Sequence, residues 1–351
     1  MHISTSTSIR YSSSARPLRV STSWLLWIYA TIPAAMLVVA VDTLLLDRHL
    51  LHAWLPHSPS GWAFWTLVFG MPHIVASLVI MADGEYLRSY YPRLSSSLVM
   101  IAAAIVLVPW LFGDKVFLIL LALSTIYHVL SQQFGISLML LRRRPDRLFQ
   151  AWRWISTLSA TVIYLLVFNG MLQSEQAFYG VPLASMIEAG VTLLILATIP
   201  LVYQLSKGSP SPLATWYLLA NLMMMLSTTL CWVLGYSVFV ILIPRVIHDI
   251  TAFTVYMVHD HNRNADRPRN ALYRLLSLTR LPAVIVTPLA AIGISWLLFN
   301  FAGGLGFELF GEWIVPASFL LYLCTFMHYY MEGWIWKGNS LLRQSVPFAH
   351  L

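Results

Sequence analysis

Four histidines stand in the middle of long apolar stretches of this 351-residue chain: His73, His128, His248 and His328. Ionisable groups inside such stretches mark functional sites, and a neutral imidazole is the commonest metal ligand in proteins. Several imidazoles with carboxylate oxygen nearby suit iron, copper or zinc better than calcium or magnesium. The four histidines therefore predict a metal centre, with non-haem iron as the first choice and copper, zinc or haem as alternatives.

Polar neighbours of these histidines extend the prediction. Glu332 and Gln132 each follow one of the four histidines by four residues, which places both members of each pair on one helix face. Asp249 directly follows another of the four. A metal-bound imidazole usually gives its second N–H to a carboxylate, amide or carbonyl group. We therefore expect these three side chains to hold the ligands or assist catalysis, with Glu332 a candidate further ligand.

The composition indicates what must position these residues. Hydrophobic residues make up 58% of the chain, charged residues 10%, and the mean hydropathy is +0.72. Soluble domains average about 25% charged residues. About 20 apolar residues span the hydrocarbon core of a bilayer as a helix, and ten runs qualify: 22–46, 61–82, 95–113, 116–141, 151–172, 181–204, 213–234, 236–260, 282–302 and 313–336. The sequence predicts an all-α, polytopic membrane bundle of about ten transmembrane helices.

The histidines fall one each on the second, fourth, eighth and tenth of these runs, which all cross the membrane in the same direction. Counting residues to the inner end of each run at 1.5 Å per residue gives depths of about 14 to 21 Å. With ordinary helix tilt, the four imidazoles can meet in one layer near the bilayer centre.

Basic residues decide the predicted orientation. With the N-terminus inside, 18 of the 21 Lys and Arg residues fall on the cytoplasmic side, Arg48 and Lys115 fall opposite, and Arg245 lies within a run. This bias predicts two cytoplasmic termini. It also explains the net charge of +7 without nucleic acid as a partner. A bacterial inner membrane fits best, and an organellar membrane stays open because residues 1–20 resemble a transit peptide.

The predicted organisation is a disordered basic tail over 1–21, one transmembrane domain over 22–336 and a short cytoplasmic tail over 337–351. Ala271–Leu276 is expected to form a short amphipathic helix on the inner leaflet, in contact with membrane lipids. Neither Cys231 nor Cys324 supports a disulfide framework. Nothing in the sequence specifies the oligomeric state.

A family resemblance appears at the same residues. The element Gly70-Met71-Pro72-His73 resembles the Gly-x-Pro-His element of bacteriorhodopsin-related proteins and bacterial β-carotene 15,15′-dioxygenases. Two further short patches, 127–135 and 246–249, have rough counterparts there. The resemblance implies a helical membrane enzyme that uses iron held by histidines to split a carotenoid with O₂. The chain departs from that family in residues 74–77, where an acidic residue is expected.

Two functions follow as hypotheses. The first is a membrane-embedded non-haem metal oxidoreductase that uses O₂ on an apolar substrate such as an isoprenoid, a carotenoid or an acyl chain, since both substrates partition into the bilayer. The second is a proton-coupled transporter in which the same histidines form a relay with Arg245, Asp249 and Glu188. A purely structural subunit is the third reading, and it predicts that the histidines are dispensable.

Overall fold

The fold is a bundle of α-helices, described by a computed structural model over residues 17–55, 70–169, 177–178, 181–264, 267–276, 282–300 and 317–349. The helices are α1 (Thr22–Trp27), α2 (Thr31–Leu45), α3 (His49–Trp54), α4 (Met71–Ile80), α5 (Gly84–Phe112), α6 (Asp114–Leu141), α7 (Arg147–Asn169), α8 (Leu183–Ser206), α9 (Pro212–Val233), α10 (Ser237–Asn264), α11 (Ala271–Leu276), α12 (Ala283–Asn300), α13 (Ala317–Ile335) and α14 (Leu341–Ser345). A 3₁₀ turn, Ile28–Ala30, joins α1 to α2.

The described parts of the ten predicted runs are largely helical, although several run ends are turns and the run 181–204 begins with the strand Val181–Pro182. Six helical segments within the described residues are long and apolar enough to cross a bilayer: Thr22–Leu45, Gly84–Phe112, Asp114–Leu141, Leu183–Ser206, Pro212–Val233 and Ser237–Asn264. Large apolar side chains on α5 lie open on the outside of the bundle, with Trp110 78% exposed and Val99 69% exposed. Such a surface suits lipid rather than water. The chain is therefore a helical bundle of the membrane type, as its composition predicts.

Local sequence sets where several helices begin and end. Pro72 occupies the first turn of α4, where its fixed φ and missing N–H cost nothing. Helix α5 starts at Gly84, eleven residues before the predicted run, because the Asp83 side chain caps it by accepting from the Glu85 N–H. Gly235, the single residue between the predicted runs 213–234 and 236–260, turns the chain between α9 and α10 with a φ of +81°.

Helix α10 lies at the centre of the bundle. In the apolar 18-residue stretch of α10, 61% of the residues are buried inside the bundle, against 11% for the corresponding stretch of α5. Helix α10 therefore packs inside, and α5 faces outward. Four helices enclose the middle of the structure, since α10 and α13 each pack against both α4 and α6. These are the four helices that carry the four central histidines. Pro244 interrupts the hydrogen-bond ladder of α10 one turn before His248.

Residues from both predicted tails form a short two-stranded sheet. Strand β1 (Val20–Ser21) pairs in parallel with β4 (Phe348–Ala349), and the short strands β2 (Ala177–Phe178) and β3 (Val181–Pro182) pair antiparallel. Asn262 on α10 binds both ends of the chain, donating to Leu18 O and Ser345 O at 2.9 Å each. The remainder of the predicted N-terminal tail, residues 1–16, lies outside the described residues.

Candidate metal centre

The four histidines converge. One ring nitrogen from each of His73, His128, His248 and His328 lies within 4.8 Å of the corresponding nitrogen of every other. All four side chains are buried, and three of them are completely inaccessible to solvent. Metal–nitrogen bonds of about 2.0–2.1 Å separate neighbouring ligand atoms by roughly 3 to 4 Å. Side-chain adjustments of well under 1 Å would therefore bring the four nitrogens around one ion.

The imidazoles contact one another in a closed square. The ring centroids are 5.0 Å apart for His73 and His248, 4.8 Å for His248 and His128, 4.6 Å for His128 and His328, and 4.8 Å for His328 and His73. Each contact joins two different helices. A porphyrin placed between any two of these rings would have to separate rings that already touch. The arrangement fits a compact non-haem ion and does not fit haem.

Asp249 lies beside His73 and not beside its sequence neighbour. Its Oδ1 atom is 3.1 Å from His73 Nδ1, which is an ion-pair distance without a hydrogen bond between the two atoms. The other oxygen, Oδ2, accepts from Arg245 Nε at 3.2 Å. His248 Nε2 is farther from this carboxylate, at 4.0 Å from Oδ1. We call the ring nitrogen that faces away from the cluster the outer nitrogen and the one that faces the other histidines the inner nitrogen. A carboxylate beside the outer nitrogen orients the ring and leaves the inner nitrogen for a metal.

Ser77 performs the same task for His328, and the sequence analysis missed it. Ser77 Oγ is 2.6 Å from His328 Nδ1 and donates its own proton to Ile74 O at 2.7 Å. The hydroxyl oxygen therefore accepts from the imidazole N–H, which leaves the Nε2 lone pair of His328 facing the centre. A signal was present, because Ser77 follows His73 by four residues, the spacing that pointed to Gln132 and Glu332.

The inner nitrogens of the other two histidines suit a cation. His128 Nε2 lies 3.0 Å from His328 Nε2. Neither ring nitrogen of His248 has a hydrogen-bond partner among the described residues, although the side chain is fully buried. A buried polar atom without a partner costs about 1–3 kcal/mol. An ion bound to the four inner nitrogens would remove that cost.

The three predicted polar partners differ in their positions. Glu332 Oε2 is 3.5 Å from His128 Nε2, and its Oε1 is 4.0 Å from His328 Nδ1, so this carboxylate borders the centre. Gln132 does not bind a histidine within the described part of the chain; its amide oxygen accepts from Gln133 Nε2 at 3.1 Å. Gln132 lines a cavity together with His128 and Glu332.

Tyr329 holds the ring of His128. The two rings stack with centroids 4.4 Å apart and planes 28° from parallel. The Tyr329 hydroxyl donates to Thr125 Oγ1 at 3.0 Å, which fixes the phenol in turn. Stacking on one side and Glu332 on the other restrict the orientation of this imidazole.

Two cavities flank the centre. One, of about 730 Å³, reaches His128 and Glu332 between α6 and α13. The other, of about 370 Å³, is lined mainly by apolar side chains of α4, α6, α7, α10 and α13, with Arg245 on its wall. Tyr329 contributes to the walls of both. A small apolar molecule therefore has space in a cavity that reaches His128 and in a second cavity lined by Ile74, Val129 and Tyr329, each of which directly follows one of the histidines.

His259, near the end of α10, belongs to a separate network. His259 is buried, with Nε2 2.7 Å from the Tyr86 hydroxyl and Nδ1 2.9 Å from Asp260 Oδ1. The same aspartate accepts from Tyr273 and Thr287 through Oδ2. This network ties α11 and α12 to α10 and has its polar groups satisfied within the protein.

The wider comparisons leave the site as the basis for any functional argument. Comparison with protein-family models, with curated proteins and with solved structures finds no significant match to this chain. The function must therefore be inferred from four buried imidazoles, their oriented outer nitrogens and the cavities beside them.

Proposed function

We propose that this protein is a membrane-embedded metal oxidoreductase with a non-haem ion, iron in the first instance, held by His73, His128, His248 and His328. The observation that carries the proposal is the meeting of four buried imidazoles from four helices, two of them with an outer nitrogen held by Asp249 or Ser77. Non-haem iron in such a site supplies O₂ activation toward an apolar substrate.

The protein's own groups divide the remaining tasks. Asp249 and Ser77 orient imidazoles, and Tyr329 packs His128 in place. Glu332 stands between the histidines and the larger cavity, where its carboxylate can take or give a proton at Oε1 or Oε2. The burial of the four histidines limits the access of water to the reacting groups. The substrate class we propose is an isoprenoid, carotenoid or acyl chain, which agrees with the family resemblance of Gly70–His73.

The direct test is elemental analysis and absorption spectroscopy of detergent-purified protein. Wild type is compared with single alanine variants of the four histidines and with His259→Ala, which removes a buried histidine outside the centre. We expect near-stoichiometric iron or copper without a Soret band, lost in the four variants and kept in the control. Folded protein without metal, or metal that survives all four changes, would overturn the proposal. Zinc alone would retain the site and exclude O₂ activation.

The topology belongs to the same proposal: ten membrane crossings with both termini in the cytoplasm of a bacterial cell. Its support is the match between the ten predicted runs and the helices, together with the one-sided distribution of Lys and Arg. Alkaline phosphatase fused at Gly113 should be active and fused at Arg144 inactive. Activity at both positions or at neither would contradict this orientation.

A proton-coupled transporter is the second candidate, because a chain of charged and titratable groups leads from one cavity to the centre. Arg245 borders the smaller cavity and binds Asp249, which contacts His73. The larger cavity reaches His128 of the same cluster. Uptake into proteoliposomes driven by a pH gradient, with metal absent, would favour this function over the oxidoreductase.

A further inference from the structure

The larger cavity is a groove between α6 and α13 with different chemistry at its two ends. One face of α6 lines it at intervals of three to four residues, through His128, Gln132, Gly135 and Met139. Eleven residues separate His128 from Met139, so the groove runs about 16 Å along the helix axis. The histidine centre marks one end of this length.

Aromatic side chains form much of the wall between the ends. The groove is lined by Phe326, Tyr329 and Tyr330 on α13, by Trp336 directly after α13, and by Phe348 on β4. These residues offer apolar surface with few hydrogen-bonding groups. The middle of the groove therefore suits a hydrocarbon chain.

Two of the three cations on the groove wall, Arg343 and Lys337, lie at the end away from the histidines, and the third, Arg153, contacts the ring of Tyr127, the residue before His128. Arg343 lies beside Met139, with Nη2 3.5 Å from its sulfur, and Lys337 follows the end of α13. The guanidinium otherwise contacts the Val346 carbonyl oxygen at 3.3 Å and the ring of Phe348 at 4.5 Å. Neither cation has a carboxylate within 4.0 Å in the described ranges of the chain.

The charge on Arg343 is therefore partly desolvated and has no counter-ion among the residues that the structure describes. Burial lowers the pKa of this guanidinium from its usual value, which is the expected effect of removing water from an unpaired cation. The acidic residue on the groove wall, Glu332, stands at the opposite end beside His128. A bound anion near Arg343 would supply the missing partner through charge-assisted hydrogen bonds.

We infer that the groove binds an acidic amphiphile, with a carboxylate or phosphate head group at Arg343 and Lys337 and an apolar chain that extends toward His128 and Glu332. The inference deepens the proposed function and rests on it for one point, that chemistry takes place at the histidines. Because the two ends are about 16 Å apart, the reacting carbon lies deep in the chain and not next to the head group.

Binding is measured with purified full-length protein in phosphatidylcholine nanodiscs. The probes are radiolabelled oleate, oleyl phosphate and neutral oleyl alcohol, which share a chain and differ in the head group. The variants are Arg343→Gln and Lys337→Gln, with Arg93→Gln as a control that removes an exposed positive charge away from the groove. Metal content is measured on every sample.

We expect an acidic probe to bind wild type and to lose about tenfold or more in affinity in Arg343→Gln, as for hydrogen bonds to charged groups. Lys337→Gln, whose side chain is exposed, should weaken the same probe without affecting the fold. The better of oleate and oleyl phosphate identifies the head group. Oleyl alcohol should bind more weakly than either and be indifferent to both changes.

Three results would overturn the inference: equal binding of oleyl alcohol and the acidic probes, equal losses in Arg93→Gln and the groove variants, or affinity unchanged in both groove variants. Metal bound by the four histidines together with any of these results would leave the proposed function standing. Charge-dependent binding of an acidic probe to protein that never holds metal would overturn the proposed function and leave the groove inference standing. The two ideas therefore fail separately.

Discussion

Replacing Ser77 by alanine tests whether the outer nitrogens of the histidines support metal binding. Ser77 Oγ lies 2.6 Å from His328 Nδ1, and both residues are inaccessible to solvent, so water cannot replace the lost oxygen. Glu332 Oε1, at 4.0 Å from the same nitrogen, is too distant to accept the hydrogen bond. The N–H of His328 is thus left without an acceptor in the variant.

The substitution of Ser77 should destabilise mainly the metal-bound state. With an ion on Nε2, the proton of the neutral imidazole must sit on Nδ1, where it needs an acceptor. Without the ion, His328 can move its proton to Nε2 and avoid an unsatisfied donor. Loss of such an outer partner typically costs 10–100-fold in metal affinity, which is about 1.4–2.7 kcal/mol. We expect Ser77→Ala to weaken binding within this range.

Ser97→Ala is a matched control. Ser97 is equally buried and its hydroxyl donates to the carbonyl three residues earlier, Leu94 O at 3.0 Å, as Ser77 does to Ile74 O at 2.7 Å. It contacts Met327 and no histidine. Apo protein is titrated with the metal found in wild type, in competition with a chromogenic chelator. Equal affinities for Ser77→Ala and wild type, or equal losses in both serine variants, would refute the reasoning.

Three further predictions concern the ion pair of Asp249 with Arg245, the buried amide of Asn221, and the pH dependence of metal binding. Asp249→Ala leaves the charge of Arg245 unpaired, so we expect the free energy of unfolding, measured by thermal unfolding, to fall by about 3–5 kcal/mol. Adding Arg245→Met to the same chain should recover most of this stability, and no recovery would argue against the pairing. Asn221→Leu should cost about 1–3 kcal/mol, because Asn221 accepts from the Tyr29 hydroxyl at 2.9 Å inside the bundle; the exposed Asn300→Leu should change the unfolding temperature little. Acidification from about pH 7 to about pH 5 should release the metal, since a ligating imidazole must be neutral; metal content after dialysis measures this, and full retention at the lower pH would count against histidine ligation.

The sequence by itself determined the class of protein and the four candidate ligands. Apolar runs of about 20 residues predict helices that span a bilayer, because intrahelical hydrogen bonds satisfy every backbone polar group of such a run. Four histidines at similar depths in such runs were therefore recognisable before any contact was known. The spacing of four residues also placed Glu332 near His328, since that relation is a property of one helix.

Tertiary structure decided which groups meet across helices. Asp249 follows His248 in the chain, yet it serves His73, because successive residues on a helix point about 100° apart and the neighbouring helix α4 fills that direction. Ser77 reaches His328, 251 residues away, while Gln132 turns to its neighbour Gln133. The pairing of β1 with β4, and the opposite chemistry at the two ends of the groove, likewise depend on packing between distant segments. Helical periodicity gives the face of each helix but not the rotation and partner of that face, which only the packed bundle specifies.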